Sequence, residues 1–378
     1  MVPIPKEANS ELRKSLVCQA DRVIVKAGTR LLIGPDSIRR LVDGIAALRE
    51  AGKEVLLVSS GAVGMGMETL KVAQRPRKLA RIQALAAVGQ SRLMAIYQAE
   101  AARHGFAVAQ LLLTAADLNS RERCLNVRNC IGALWESKVL PIVNENDSVS
   151  VDELKFGDND TLAGMLAAVT GAPLTIILTT VDGLRDRDAE GRLGERIPVV
   201  KKLDDTLRGL AGGTDDAKFS IGGMASKLRA AEIAGAAGSA LVIADGRTPE
   251  ILPRLIAGED TGTLFLPRPR ISGRKRWFGY LSRVSGRITV DPGAENALRK
   301  HGRSLLPSGA VAVDGNFRRG ATVEIANSRG IPFARGLVNF DADECRKLLG
   351  CRSGRLHEIL GADADEELIH RDNLLLFE

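Results

Sequence analysis

Residues 22–61 read RVIVKAGTRLLIGPDSIRRLVDGIAALREAGKEVLLVSSG, and three patterns follow one another in them. The run Arg22 to Gly28 is short, β-branched and apolar, as a strand buried on both faces is, and it ends in glycine. Ile38, Leu41, Ile45 and Leu48 then recur at helical spacing, with Asp36 as a candidate N-cap and Gly52 as a stop. KEVLLVSS returns to a strand pattern. Strand, helix and strand in so short a stretch predict an α/β domain with a largely parallel sheet.

The alternation continues to about Phe265. A long helical pattern covers residues 79–105, strands are predicted at 106–114, 139–145, 174–180 and 239–245, and helices at Thr161 to Thr170 and Met224 to Ala237. The run PRPRISGRKR from Pro267 breaks this rhythm. Beyond it GRITVDPGA, GAVAVDGNF, ATVEIANSRG and PFARGLVNF are short, β-branched and bounded by Gly, Pro or Asn, which predicts a compact, mostly-β module. The expected organisation is an extension over 1–20, an α/β domain over 21–266, a basic linker over 267–285, a small β domain over 286–368 and a tail over 369–378.

Composition narrows the chemistry. With 378 residues, 45% hydrophobic and 26% charged, the chain matches an ordinary soluble protein of two domains. The start MVPIPKEANSELRK lacks the basic-then-apolar order of a leader, and no apolar run approaches the length that spans a bilayer, so a cytoplasmic location away from the membrane is expected. Cys18, Cys124, Cys130, Cys345 and Cys351 lack the short spacings of zinc or redox motifs. His104, His301, His357 and His370 are scattered, which offers neither a Ser-His-Asp triad nor a His-rich metal site. Net charge is +7, yet residues 286–378 hold 13 Lys+Arg against 14 Asp+Glu. The excess therefore lies upstream, notably in the linker, and nucleic-acid binding by the small domain is disfavoured.

In an open α/β sheet, ligands sit beyond the carboxyl ends of the strands. Four polar or glycine-bearing stretches fall there: Lys26-Ala27-Gly28-Thr29, Ser59-Ser60-Gly61-Ala62, Asn144-Glu145-Asn146-Asp147 with Gly157-Asp158-Asn159-Asp160, and Gly222-Gly223-Met224-Ala225-Ser226-Lys227. Glycine lets backbone N–H groups approach phosphate oxygens, and two lysines suit a triphosphate. The P-loop pattern G-x-x-x-x-G-K-[ST] is absent, and Gly61, Gly64 and Gly66 make only an imperfect dinucleotide pattern because Thr69 stands at its third place.

With these segments in view, the sequence resembles the glutamate 5-kinase branch of the amino-acid kinase family from about Asp21 onward. The END and GDND segments followed by GGMxxK carry the likeness, supported by LAAVGQSRLM, RERCLNVRN and GTLF followed by RKRW. From about Gly286, SLLPSGAVAVDGNFRRG and HRD resemble the PUA domain that many members carry.

The resemblance implies a three-layer α/β/α kinase fold and ATP-dependent phosphorylation of the L-glutamate side-chain carboxylate. It implies ATP with Mg2+ as cofactors, the metal held mainly by the phosphates, and proline as a feedback inhibitor of a homo-oligomer, dimer or tetramer. Lys26, Lys227 and Asp160 are then catalytic, the carboxylate orienting the lysines. Ser60, Gly61, Asn144, Asp147 and Asn159 hold glutamate, Asp147 at its ammonium and the Ser60 and Asn159 groups at its carboxylates. The ATP site comprises Lys26, Gly28, Thr29, Thr179, Thr180, Ile221, Gly222, Gly223, Met224, Ala225, Ser226 and Lys227. Ala27, Arg30, Thr180, Ser220 and Ile221 depart from the family pattern, all on the nucleotide side. Two other readings are an aspartokinase or acetylglutamate kinase, and an RNA-binding PUA protein with a weakened kinase domain.

Overall fold

A computed structural model describes residues 5–34, 36–149, 158–188, 192–210, 223–269, 273–351 and 366–377. The chain forms two units, Met1–Ile271 and Ser272–Glu378.

In chain order the first unit contains α1 (Lys6–Arg13), β1 (Arg22–Ala27), α2 (Ser37–Glu50), β2 (Glu54–Val58), α3 (Ala62–Thr69), α4 (Leu79–Ala102), β3 (Val108–Leu113), α5 (Ala115–Asn119), α6 (Arg121–Glu136) and β4 (Leu140–Glu145). There follow α7 (Asn159–Thr170), β5 (Leu174–Thr179), β6 (Arg185–Arg187), β7 (Leu193–Arg196), β8 (Val199–Val200), α8 (Asp205–Leu210), α9 (Met224–Ala236), β9 (Ala240–Asp245), α10 (Ile251–Ile256) and β10 (Thr263–Phe265). One eight-stranded sheet runs in the order β3-β4-β2-β1-β5-β9-β10-β8, and β6 and β7 form a separate antiparallel pair. All neighbours in the large sheet are parallel except β9 and β10.

Strand parity explains the layers. Val23, Val25 and Ala27 of β1, Val55 and Leu57 of β2, and Leu174, Ile176 and Leu178 of β5 join one core with Ile38, Leu41 and Ile45 of α2, Leu93 of α4 and Leu252 of α10. The alternate residues Ile24, Leu56, Val58 and Ile177 are equally buried and belong to the opposite face, where α7 packs on β1 and α9 on β9. Both faces are therefore covered, as a parallel sheet requires. Lys26 has the parity of Ile24, so its side chain leaves the strand on the α7 side.

Several local expectations shift. Asp36 precedes α2 but makes no side-chain cap; Ser37 Oγ instead donates to the Ile33 carbonyl at 2.6 Å. The helix expected from Thr161 starts earlier because Asp158 Oδ1 caps it, accepting from the Thr161 N–H at 2.7 Å. Gly66 is no phosphate-loop glycine. It lies inside α3, where a Cβ would stand 1.9 Å from the Leu85 carbonyl oxygen, and Gly89 of α4 lies as close to Ala62 O at 1.8 Å. The two helices touch backbone to backbone. Residues 5–20 also fold onto the first unit: Arg13 is 1% exposed, and its guanidinium donates to Asn9 Oδ1, Thr261 O, Pro198 O, Asp260 Oδ1 and Gly262 O at 2.9–3.2 Å.

The second unit contains α11 (Gly273–Arg276), β11 (Val284–Val290), α12 (Pro292–His301), β12 (Ala310–Gly315), β13 (Thr322–Ala326), β14 (Pro332–Leu337), α13 (Ala342–Lys347) and β15 (Leu374–Leu376). Its sheet is ordered β12-β11-β13-β14-β15, and only β11 and β13 pair in parallel. Ile288, Val323, Ile325, Phe333 and Leu368 centre its core. The segment expected as a linker divides: from Gly273 it is largely helical and buries Phe278 and Leu281. The expected tail supplies β15, so it closes one edge of the sheet.

Candidate active site

The carboxyl ends of β1, β2, β4 and β5 and the first turns of α7 and α9 carry the predicted residues. Asp160, the second residue of α7, is fully buried and lies between two lysines. Its Oδ1 is 2.6 Å from Lys26 Nζ, and its Oδ2 accepts from Lys227 Nζ and from Ser226 Oγ at 3.0 Å each. Burial opposes ionisation of Asp160, but the charges and hydrogen bonds of Lys26 and Lys227 outweigh it and hold the carboxyl below the ordinary carboxylate value.

The packing of α7 on α9 sets this arrangement. One turn beyond Asp160, Gly164 lies so close to α9 that a Cβ would stand 2.8 Å from the carbonyl oxygen of Ala230, itself one turn beyond Ser226. Gly223 precedes α9 and, having no side chain, gives the N–H groups of its first turn no cap. Ser226 Oγ also donates to Gly223 O at 2.9 Å. Gly28 follows β1 and donates to Leu178 O at 3.3 Å, while Thr29 begins an exposed turn. Thr179 ends β5, and the carbonyl of Thr180 accepts from Arg247 Nη2 at 2.8 Å. Ile221 and Gly222 lie outside the described residues.

A second cluster is made of neutral polar groups. Asn159 Nδ2 donates to Ser59 O and Ser60 Oγ at 2.8 Å each and to Asn144 Oδ1 at 3.0 Å. Asn144 Nδ2 donates in turn to Gln90 Oε1 at 3.0 Å. Gly61, at φ 96°, takes the left-handed turn from β2 into α3, which a side chain would strain. Asp147 lies in the turn after β4, its N–H bonded to Glu145 O at 2.9 Å. Asn159 and Asp160 are sequence neighbours, so one helix start joins the two clusters. The hydrogens of the Asn159 amide are engaged within the protein.

Sequence reasoning passed over Gln90 and Arg247. Gln90 stood in a quoted motif but carried no role, although its place on the buried face with Leu85, Ala86, Leu93 and Tyr97 was a signal. A polar side chain among apolar ones at helical spacing requires a partner.

A largely parallel sheet that brings a carboxylate-bridged lysine pair to its strand ends fits a phosphoryl-transfer class of protein. The chain belongs to the amino acid kinase family: the family model matches residues 21–245, and the PUA domain model matches residues 286–360. Nearly the whole chain is similar to glutamate 5-kinases. That of Caldanaerobacter subterraneus is 43% identical over 94% of this chain and 98% of its own length. The Chromohalobacter salexigens enzyme is 43% identical over 98% and 99%, and the Geobacter sulfurreducens enzyme 41% over 97% and 100%. Among solved structures, the carbamate kinase of Giardia lamblia is 18% identical with a TM-score of 0.47, covering 66% of this chain and 99% of that one.

Proposed function

We propose that this chain transfers the γ-phosphoryl group of ATP to the side-chain carboxylate of L-glutamate, forming L-glutamate 5-phosphate, the entry step of proline biosynthesis. The observation that carries the reading is Asp160 held between Lys26 and Lys227, with the Asn144–Asn159–Ser60 cluster beside it. A glutamate carboxylate, with a reference pKa of about 4.3, is already ionised at neutral pH, so no general base is called for. What the reaction demands is alignment of two anions and neutralisation of the charge on the moving phosphoryl group.

ATP, when bound, supplies the phosphoryl group, and Mg2+ neutralises part of its charge. The fit on this chain is good: Lys26 and Lys227 provide cations, and the uncapped start of α9 provides N–H donors. Among the described residues no group of three or more His, Cys, Asp or Glu could hold a metal, and Asp160 is taken up by the lysines. As part of the same proposal, Mg2+ is held mainly by the ATP phosphates. Asp160 keeps both ammonium groups together while they face an anion, Asp147 offers a charge for the glutamate ammonium, and Ser60 offers a hydroxyl for a carboxylate.

The test is ADP release with L-glutamate, L-aspartate and N-acetyl-L-glutamate, each with and without proline. Turnover with L-glutamate is expected, reduced by proline. A higher kcat/KM for either other acceptor, or no turnover with L-glutamate, overturns the reading. Assembly as a dimer or tetramer is part of the same proposal and is checked by light scattering.

A further inference from the structure

We propose that Gln90 is a positioning residue of the acceptor site, acting through Asn144 and Asn159 on the Ser60 hydroxyl; the inference rests on the reading above that Ser60 meets a substrate carboxylate. Gln90 sits on α4, outside every glycine-rich loop, and is 7% exposed. Tyr97, two turns along the same helix, reaches Ser59 Oγ at 2.8 Å, so α4 supports the loop after β2 and the end of β4 from below.

Two backbone groups determine the direction of the chain of amides. The Glu145 N–H can only donate, so the Asn144 atom 2.9 Å away is its oxygen, and the Asn144 nitrogen faces Gln90. The Ser59 carbonyl can only accept, so the Asn159 atom 2.8 Å from it is nitrogen, as the bond to Asn144 Oδ1 also requires. The two Asn159 hydrogens are shared among three acceptors, of which Ser60 Oγ is one, and this leaves the Ser60 hydrogen for an acceptor. Ser60 is 8% exposed, at the margin of the buried cluster, whereas Asn144 is 2% exposed. Loss of the Gln90 oxygen leaves the Asn144 amide without an acceptor and weakens the whole sequence of donors.

Gln90 is brought to Asn144 by the backbone contact of its neighbour Gly89 with Ala62 O, which clamps α4 against α3. Its effect is therefore expected on the acceptor side, away from Lys227 and the start of α9.

The experiment compares full-length Gln90→Met and Gln90→Glu with wild type in ADP-release assays, varying L-glutamate at high ATP and the reverse. Gln90→Met removes the acceptor and is expected to raise the glutamate KM about fivefold or more, leaving the ATP KM at its wild-type value. Gln90→Glu, which presents a carboxyl oxygen in either protonation state, is expected to keep a wild-type glutamate KM. In a Ser60→Ala background, Gln90→Met should raise the glutamate KM no further, because the hydroxyl it directs is gone. Equal shifts of both KM values, additive effects with Ser60→Ala, or the same loss in Gln90→Glu and Gln90→Met overturn the assignment. If circular dichroism shows Gln90→Met unfolded, Gln90→Leu replaces it. Absence of L-glutamate turnover in the wild type removes the proposed function itself. Normal wild-type turnover with an unchanged glutamate KM in the variant removes only the role of Gln90.

Discussion

At the residue scale the decisive group is a carboxylate with no exposure and two cations. Breaking a buried ion pair by removing one partner costs about 3–5 kcal/mol, because the charge left behind is uncompensated. Asp160→Asn is therefore expected to lower stability by that order at pH 7, measured by denaturant unfolding. The sign with pH follows from the direction of the shift. The folded carboxyl lies below its ordinary value of 3.8, so its contribution is present above that value and is lost as pH falls through the depressed one. The stability gap between wild type and Asp160→Asn should narrow only in strong acid; a constant gap across that window counts against the ion-pair account. Lys227→Ala should lower kcat by about a hundredfold or more with little change in glutamate affinity, since the charge it meets is greatest during transfer. For Asp147→Asn the expected change is reversed, a raised glutamate KM with kcat largely kept. These residue types and their neighbourhoods were visible as polar breaks at strand ends. The lysine–carboxylate–lysine distances were not, because Lys26 and Lys227 are far apart in the chain.

At the scale of elements, glycine and arginine set the spacing. Gly164 permits the close approach of α7 to α9 that places Asp160 beside Ser226 and Lys227. Gly164→Ala must push the helices apart, because the new Cβ would meet backbone and not a flexible side chain. The expected outcome is a kcat lowered about tenfold or more, with a smaller change in glutamate KM, read from saturation curves. Arg13 does for α1 what Gly164 does for α7. Its guanidinium satisfies carbonyls of Pro198, Thr261 and Gly262 from a buried position, whereas the Arg22–Glu54 pair lies exposed at 2.6 Å. Arg13→Ala should thus destabilise by about 1–3 kcal/mol and Arg22→Ala by less than about 1 kcal/mol. Thermal denaturation of both variants checks this, and equal shifts would show that burial of Arg13 adds nothing. Helix and strand periodicity foretold most elements, including β11 to β14 of the second unit but not β15. It passed over α6, whose charged RERCLNVRN opening hides the buried face of Cys124, Ile131 and Trp135, and over the pairing of β8 with β10, which only distant neighbours create.

For the whole molecule, the two cores share no residue, and every described site residue belongs to the first unit. A chain ending at residue 271 is accordingly expected to fold and to keep ATP-dependent turnover of L-glutamate. A folded truncation without activity would show that the second unit shapes the site. The sequence by itself determined the class of fold, because period-2 and period-3.6 patterns encode burial locally, and it marked the strand ends where polar residues and glycines interrupt those patterns. Tertiary structure alone decided which of those ends converge, which face of β1 sends Lys26 toward Asp160, and that Gln90 and Arg13 have partners far along the chain. The reason is physical: periodicity reports which side of an element is buried, but the identity of the group on the other side is settled only when helices and strands pack.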